Sequence, residues 1–457
     1  MTVAAGHHSH WSSRLGFIFA AVGSAVGLGN FWRFPYEAGE NGGGAFVIVY
    51  LGCILFIAMP LVLAELSIGR RGGLNAVDAV KKVAKEEGRS AGWSVFGWSG
   101  MIAAFMILTF YSVIGGWVVA YVISAAQGNF ATATPEAVTQ QFDALLADAG
   151  QLTIYHAVFM ALTGFIVSRG LQRGIEPAVR ILMPALALMM FGLVIFAAIE
   201  GDFAAAVTFL FSADFSKITP EVVLAAVGQA FFSVGVGVAI MLTYGSYLNR
   251  DVKLPQSAVV ISLADTGIAI LAGLLIFPIV FQFNLEPGAG PGLVFVTLPV
   301  AFGQMPFGGI VSFVFFMLLL VAAITSSISM LEIFVAWVEE NLDVSRLTAA
   351  ISGASVAWVI GLGSVFSFNI WADWHPLGFI PLLEGKNWFD MFDYISSNIL
   401  LPLGGMLIAI FAGWAMSKST VLEETGMSDT LIFKLWYFLI RFAAPVAIGA
   451  VFLFNLT

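Results

Sequence analysis

Apolar residues in this chain do not alternate with polar ones. They gather into long blocks separated by short polar stretches. Eleven blocks can be drawn, at roughly 16–38, 43–69, 95–126, 153–171, 177–199, 221–247, 255–281, 308–339, 346–366, 391–416 and 431–454. About 20 consecutive apolar residues make a helix long enough to cross a bilayer's hydrocarbon core. The pattern therefore predicts an all-α polytopic membrane protein with eleven transmembrane helices. Two blocks break their own rule. The first contains Gly23-Ser24-Ala25-Val26-Gly27-Leu28-Gly29-Asn30-Phe31-Trp32-Arg33-Phe34-Pro35, with three glycines in seven residues and then an arginine; the sixth contains Ser233-Val234-Gly235-Val236-Gly237. Backbone released from helical bonding is tolerated at membrane depth only where protein or a water-filled cavity surrounds it. Interruptions at corresponding places in two halves of a chain point to a binding site between them. Placing the breaks in segments 1 and 6 divides the chain into a cytoplasmic N-terminal segment (1–15), a first five-helix repeat (16–200), a second, inverted five-helix repeat (201–416), and a C-terminal cytoplasmic loop with helix 11 (417–457).

Composition supports the membrane reading. Of 457 residues, 60% are hydrophobic and only 10% charged, where a soluble domain carries about 25% charged residues. The 42 Phe and 12 Trp suit lipid-facing and interfacial positions. The net charge of −9 is spread over loops, which leaves no basic surface for nucleic acid. The single cysteine, Cys53, excludes an intramolecular disulfide and reads as a small buried hydrophobe. No cleavable signal pattern precedes the first block. His7, His8 and His10 read as a polar tail or, alternatively, a metal site. His156 and His375 lie near predicted span ends without metal-ligand spacing, and no Ser/His/Asp arrangement is visible, so an enzyme is not expected. Loop 70–91 holds Arg70, Arg71, Lys81, Lys82, Lys85 and Arg89, whereas loop 128–152 has Glu136, Asp143 and Asp148 and no basic residue. Basic loops stay cytoplasmic. This predicts a multi-pass protein of the plasma (inner) membrane, with its N-terminus cytoplasmic and its C-terminus outside; the acidic loop near Glu339 and Glu340 runs against the trend.

Several motifs carry a resemblance. They are Trp11-Ser12-Ser13-Arg14-Leu15-Gly16, the glycine-rich run through Tyr36, Asn41-Gly42-Gly43-Gly44-Ala45-Phe46, Gly228-Gln229-Ala230-Phe231-Phe232-Ser233, Thr243-Tyr244-Gly245-Ser246-Tyr247 and Ala322-Ala323-Ile324-Thr325-Ser326-Ser327. In this order, across nearly the whole chain, they resemble the neurotransmitter:sodium symporter family, in particular its bacterial leucine-transporter-like amino acid transporters. The resemblance implies a sodium-coupled symporter working by alternating access, with two sodium ions as cofactors and an amino acid substrate as partner. It implies a first sodium site of the Ala25 carbonyl, Asn30, Ser233 and Asp265, where the family usually carries Asn at the last position. Chloride-dependent relatives bind chloride among residues matched here by Tyr50, Gln229, Ser233 and, in place of a Ser, Ala269. The fixed charge of Asp265 is therefore expected to stand in for chloride. The second sodium site would comprise the carbonyls of Gly23, Val26 and Ala322 with Thr325 and Ser326. Read alone, a Thr-Ser pair in a membrane helix often bonds back to its own preceding turn.

The resemblance places a substrate carboxylate at the amides of Leu28 and Gly29 and the hydroxyl of Tyr111, since helix breaks offer unsatisfied donors. Gly27 stands where amine-transporting members carry Asp, which favours a zwitterion. Its amino group would meet carbonyls near Ala25 and Phe232 and the hydroxyl of Ser326. The side chain would face Ser24, Ile107, Phe232, Gly235, Val238 and Met330, which are apolar or small. A neutral, hydrophobic amino acid is the expected substrate; a small zwitterion of the glycine, GABA or taurine type is the alternative. Matched gate residues are Arg33 with Asp393 on one side and Trp11, Ser246, Tyr247 and Glu340 on the other, with His8 or Arg14 as the basic partner of Glu340. Gly174 and Pro184 resemble a family motif that unwinds segment 5. An ion channel and a non-transporting sensor remain competing readings; two different breaks in one chain favour a carrier over a channel.

Overall fold

The computed structural model describes residues 9–131, 134–285 and 292–456. All regular structure among these is helical. Among the described residues, nine helices are long and apolar enough to cross a membrane: Gly44–Gly72, Ala91–Ala126, Ala149–Ser168, Leu171–Glu200, Leu254–Gln282, Gly308–Asn341, Arg346–Phe366, Trp388–Ala415 and Leu431–Leu456. They correspond to predicted segments 2–5 and 7–11. Segment 1 is a bent pair, Arg14–Ala25 and Gly29–Glu40, meeting at 50°. Segment 6 is divided into Pro220–Val234 and Ile240–Ser246, neither long enough to cross alone. The two interruptions legible in the sequence are thus the two breaks in the structure.

Local chemistry places them. The first half of segment 1 starts at Ser13, whose hydroxyl accepts from the Gly16 amide, a standard N-cap. Its second half opens with a π-turn, Gly29–Arg33, and continues with Pro35 in the next first turn, where a missing N–H costs nothing. Segment 6 starts from a Thr219 cap with Pro220 behind it and runs to Gly235. Gly235 (φ +67°), Gly237 (φ +89°) and Ala239 (φ +61°) all adopt left-handed backbone. Glycine does so freely; alanine pays a steric cost there.

Segments five places apart pack together. Segments 1 and 6, 2 and 7, 3 and 8, and 4 and 9 are all in contact, each segment meeting the one five places later. Segments 2 and 6 cross through small residues. A Cβ on Gly69 would lie 2.0 Å from the Leu242 carbonyl oxygen, and one on Gly245 would lie 2.8 Å from the Leu66 oxygen. Such close backbone approach is what small residues permit in membrane bundles. Segment 5 begins with a π-turn, Leu171–Ile175, that contains Gly174, and Pro184 lies inside the helix that follows. Cys53 is buried in segment 2.

Several stretches expected as loops are helical: Ala76–Glu86, Pro135–Ala147, Lys418–Thr425 and Leu293–Gln304. They are too short to span, so the length criterion passed over them. His156 also differs from expectation. It sits inside the helix Ala149–Ser168 and is fully buried, not at a span end.

Gly69→Ala is expected to destabilise the bundle by about 1–3 kcal/mol, the usual cost of overpacking, and to lower the melting midpoint in detergent. Gly192→Ala, with nothing within 4 Å of the added carbon, should leave that midpoint unchanged. Differential scanning fluorimetry of the two variants checks both.

Candidate functional site

The breaks in segments 1 and 6 face one another, and polar side chains from segments 1, 3, 6, 7 and 8 fill the space between them. Asn30 lies one residue beyond the glycine pair. Its Oδ1 accepts from the Gly27 amide at 3.0 Å, and its Nδ2 donates to Asp265 Oδ1 at 2.8 Å. The Ser233 hydroxyl donates to Asp265 Oδ2 at 2.6 Å and accepts from Tyr50 at 3.3 Å. Gln229 donates to the Gly29 carbonyl at 3.4 Å, and its own side-chain oxygen has no protein partner. Asn30, Tyr50, Gln229, Ser233 and Asp265 are all buried. A carboxylate at this depth is costly unless paired or functional; Asp265 has hydrogen-bond donors but no cationic side chain within ion-pair distance among the described residues. This oxygen-rich cluster joins segments 1, 2, 6 and 7 and has the donor chemistry of a hard-cation site.

A second group of oxygens lies between segments 1 and 8. The Ser326 hydroxyl is 3.1 Å from the Val26 carbonyl oxygen, 3.4 Å from that of Gly23 and 3.2 Å from that of Ala322. Thr325 bonds back to Ala322 and Val321 at 3.0 and 3.2 Å, as expected of a hydroxyl in a membrane helix. All five predicted groups therefore sit together, with Ser326 reaching across and Thr325 turned to its own helix.

Between the two clusters lie the groups expected to form the pocket for an amino acid backbone. The Leu28 amide lies 3.4 Å from the Tyr111 hydroxyl. A Cβ on Gly27 would stand 2.7 Å from the Ser326 hydroxyl and 3.0 Å from that of Tyr111, and one on Gly29 would stand 2.7 Å from the Phe232 ring. A side chain at either glycine would require these neighbours to shift. Ala25, Ile107, Val238 and Met330 are buried. The Ser24 hydroxyl bonds back to Ala21 at 2.8 Å.

The predicted gates are only partly assembled. Among the described residues no ion pair joins Arg33 to Asp393. Arg33 instead pairs with Glu37 one turn along its own helix at 3.6 Å and lies over the Phe232 ring at 4.6 Å, while Asp393 accepts from Ser397 at 2.9 Å. The local partner satisfies Arg33 without closure. Arg33, Phe232 and Ser397 line a small cavity of about 30 Å³. At the opposite end Trp11 is buried. Its indole N–H donates to the Tyr244 carbonyl and its amide to the Tyr247 carbonyl, both at 3.1 Å. Ser246 bonds back to Thr243 at 2.8 Å. Glu340 accepts from the amide and side chain of Asn75 at 2.8 and 2.7 Å. Arg14, the alternative partner for Glu340, turns to Gln256 at 3.2 Å; His8 lies outside the described residues.

Four buried acids escaped the sequence reading: Glu424, which pairs with Arg70 at 2.6 Å, and three that hold the segments around the site. Glu65 in segment 2 accepts from the Gly237 amide at 2.7 Å, holding the unwound part of segment 6. Glu332 in segment 8 accepts from Tyr247 at 2.8 Å and pairs with Arg346. Glu176 takes both Ser12 groups, its amide at 3.0 Å and its hydroxyl at 2.6 Å, together with the Ser13 hydroxyl at 2.9 Å and Arg180 at 2.8 Å, tying the start of segment 1 to segment 5. The signal for Glu65 and Glu332 was an acid inside an apolar block, the same signal that marked Asp265.

A multi-pass helical bundle whose two broken helices surround such a pocket defines a secondary transporter. The model of the Sodium:neurotransmitter symporter family matches residues 8–144 and 136–457, and the chain belongs to that family. It is 39% identical over 446 residues to the uncharacterized sodium-dependent transporter YhdH of Bacillus subtilis (strain 168), covering 97% of this chain and 96% of the relative. It is 35% identical over 463 residues to an uncharacterized sodium-dependent transporter of Haemophilus influenzae, covering all of both. Among solved structures it is similar to MhsT crystallised with L-phenylalanine, at 44% identity and a TM-score of 0.89, covering 97% of this chain and 99% of that one. The protein is a sodium-dependent membrane transporter and not an enzyme.

Glu65→Ala should leave the buried Gly237 amide without an acceptor, costing about 1–3 kcal/mol. Faster amide exchange confined to residues 235–242, read by hydrogen–deuterium exchange mass spectrometry, is the expected outcome.

Proposed function

We propose that this transporter carries neutral, hydrophobic amino acids together with two sodium ions, without chloride, by alternating access. The observation that carries the reading is the Gly27 position. Its missing side chain leaves the Tyr111 and Ser326 hydroxyls facing the opened backbone, with no carboxylate to claim a substrate's amino group. The substrate carboxylate would meet the Leu28 and Gly29 amides and Tyr111, and its amino group the carbonyls near Ala25 and Phe232. The side chain would lie against Ile107, Phe232, Val238 and Met330, where no charge is available to a polar group. MhsT, solved with L-phenylalanine, supports a large apolar side chain.

The first ion would lie among Ala25, Asn30, Ser233 and Asp265, beside the substrate carboxylate, so that each strengthens the other's binding. The second would join Gly23 and Val26 to Ala322, Thr325 and Ser326. Asp265 supports chloride independence because it places a fixed negative charge beside Tyr50, Gln229 and Ser233. Arg33 with Asp393 would close one face over Phe232, and Trp11 with Tyr247 the other. The basic loop 70–91 supports a cytoplasmic N-terminus in the plasma (inner) membrane.

In proteoliposomes under an inward sodium gradient, leucine, phenylalanine and tryptophan should compete best in a panel of all twenty amino acids. Uptake should survive replacement of chloride by gluconate. Competition led by glycine, GABA or taurine would overturn the substrate class, and loss of uptake without chloride would overturn the role of Asp265. The Asp265→Asn variant should either require chloride or lose uptake.

Gly235 adopts a positive φ, so a side chain there would test backbone strain before pocket size. Val238→Leu tests size directly. One added methylene should reduce competition by tryptophan about tenfold relative to alanine; an unchanged ratio would remove Val238 from the pocket.

A further inference from the structure

Segment 11 carries an arginine part-way along a membrane-spanning helix. Arg441 lies in a π-turn, Leu439–Ala443, and this turn packs against a second π-turn, Phe411–Ala415, at the end of segment 10. The two docks are reciprocal. The Trp414 indole donates to the Arg441 carbonyl at 2.9 Å, and the Tyr437 hydroxyl donates to the Gly413 carbonyl at 3.2 Å. Gly413 allows the approach, because a Cβ there would stand 2.9 Å from the Arg441 Cα. Paired π-turns of this kind are uncommon and recur at functional sites.

The guanidinium is oriented but not neutralised. It lies over the Trp414 ring at 4.0 Å, with the Tyr437 and Phe442 rings at 5.6 and 5.8 Å. Among the described residues no carboxylate comes within ion-pair distance, no acceptor takes a bond from it, and its buried Nε has no partner. The neighbouring aromatic surface is open: Trp414 is 48% exposed, Phe438 56% and Phe442 44%. Arg441 is level with the last turn of segment 10, just before the chain passes into Ser417-Lys418-Ser419. A second cation, Lys434, is exposed two helical turns earlier on the same face. An unpaired cation inside a membrane helix calls for an anionic partner, and a planar guanidinium with free N–H groups matches phosphate oxygens. Both cations border exposed apolar surface of a membrane-spanning helix, Phe438 and Phe442, which puts a lipid phosphate within reach.

We propose that Arg441 and Trp414 form a binding site for the phosphodiester of an anionic phospholipid, at the seam of segments 10 and 11, in the leaflet that meets loop 417–430. The phosphate takes the free guanidinium N–H groups, Trp414 holds the guanidinium plane, the acyl chains lie along Phe438 and Phe442, and Lys434 favours net negative charge over a zwitterion.

Native mass spectrometry of the purified full chain tests this, with phosphatidylglycerol, phosphatidylcholine and inorganic phosphate titrated separately. The wild type should retain phosphatidylglycerol and neither of the others. Arg441→Gln should weaken that retention about tenfold, the loss expected of one charge-assisted hydrogen bond, while its melting midpoint in lipid-free detergent stays near that of the wild type. Equal phosphatidylglycerol retention by Arg441→Gln overturns the proposal. So does equal retention of phosphatidylcholine by the wild type, or binding of inorganic phosphate alone. If Arg441→Gln does not fold, Arg441→Lys decides: a several-fold loss supports the site, because lysine lacks the planar fork, and unchanged retention overturns it.

Discussion

A peptide group stripped of its helical partner inside a bilayer must find another partner within the protein, and the centre of this molecule is organised by that requirement. The Gly27 amide is taken by Asn30, the Leu28 amide faces Tyr111, and the Gly237 amide is taken by Glu65. The carbonyls of Gly23 and Val26 meet Ser326. Each of these side chains except Asn30 comes from a different segment than the backbone it serves. The opened backbone is therefore what holds segments 1, 2, 3, 6 and 8 in register, and the same groups that stabilise the breaks are those a substrate and its ions would engage.

Small residues make this arrangement possible. Without a hydrophobic drive between helices in lipid, close packing and polar contacts hold the bundle together. Gly69 and Gly245 let segments 2 and 6 touch backbone to backbone, and Gly237 meets the backbone of segment 10. Glu65 of segment 2 reaches the Gly237 amide of segment 6 at 2.7 Å. Polar contacts then tie residues 11–13 to neighbouring helices: Trp11 to segment 6, and Ser12 and Ser13 to Glu176 of segment 5.

Much of this was legible in the residues alone. Long apolar blocks marked the spans, and glycine clusters marked both breaks, because a helix interrupted in lipid leaves few alternatives. Asn30, Ser233 and Asp265, grouped through motif resemblance, lie within hydrogen-bond distance of one another, as do Ser326 and the carbonyls grouped with it. What could not be read was partner choice. Arg33 has a local alternative to Asp393 in Glu37, one turn along its own helix, but nothing local says that Arg14 turns to Gln256 or that Glu332 receives Tyr247. Those pairings depend on segments far apart in the chain, and on competing partners whose distances only the fold sets. Glu65 is the instructive case: its burial was readable from the apolar block around it, but its partner is a backbone amide, which carries no residue-type signature.

One feature of segment 2 bears on how this protein can be studied. Cys53 is the chain's single sulfhydryl and is only 7% exposed. The natural chain is thus a quiet background for thiol-directed chemistry. A spin label or fluorophore attached through one introduced cysteine on an exposed surface would report from that place alone, with no native thiol to remove first.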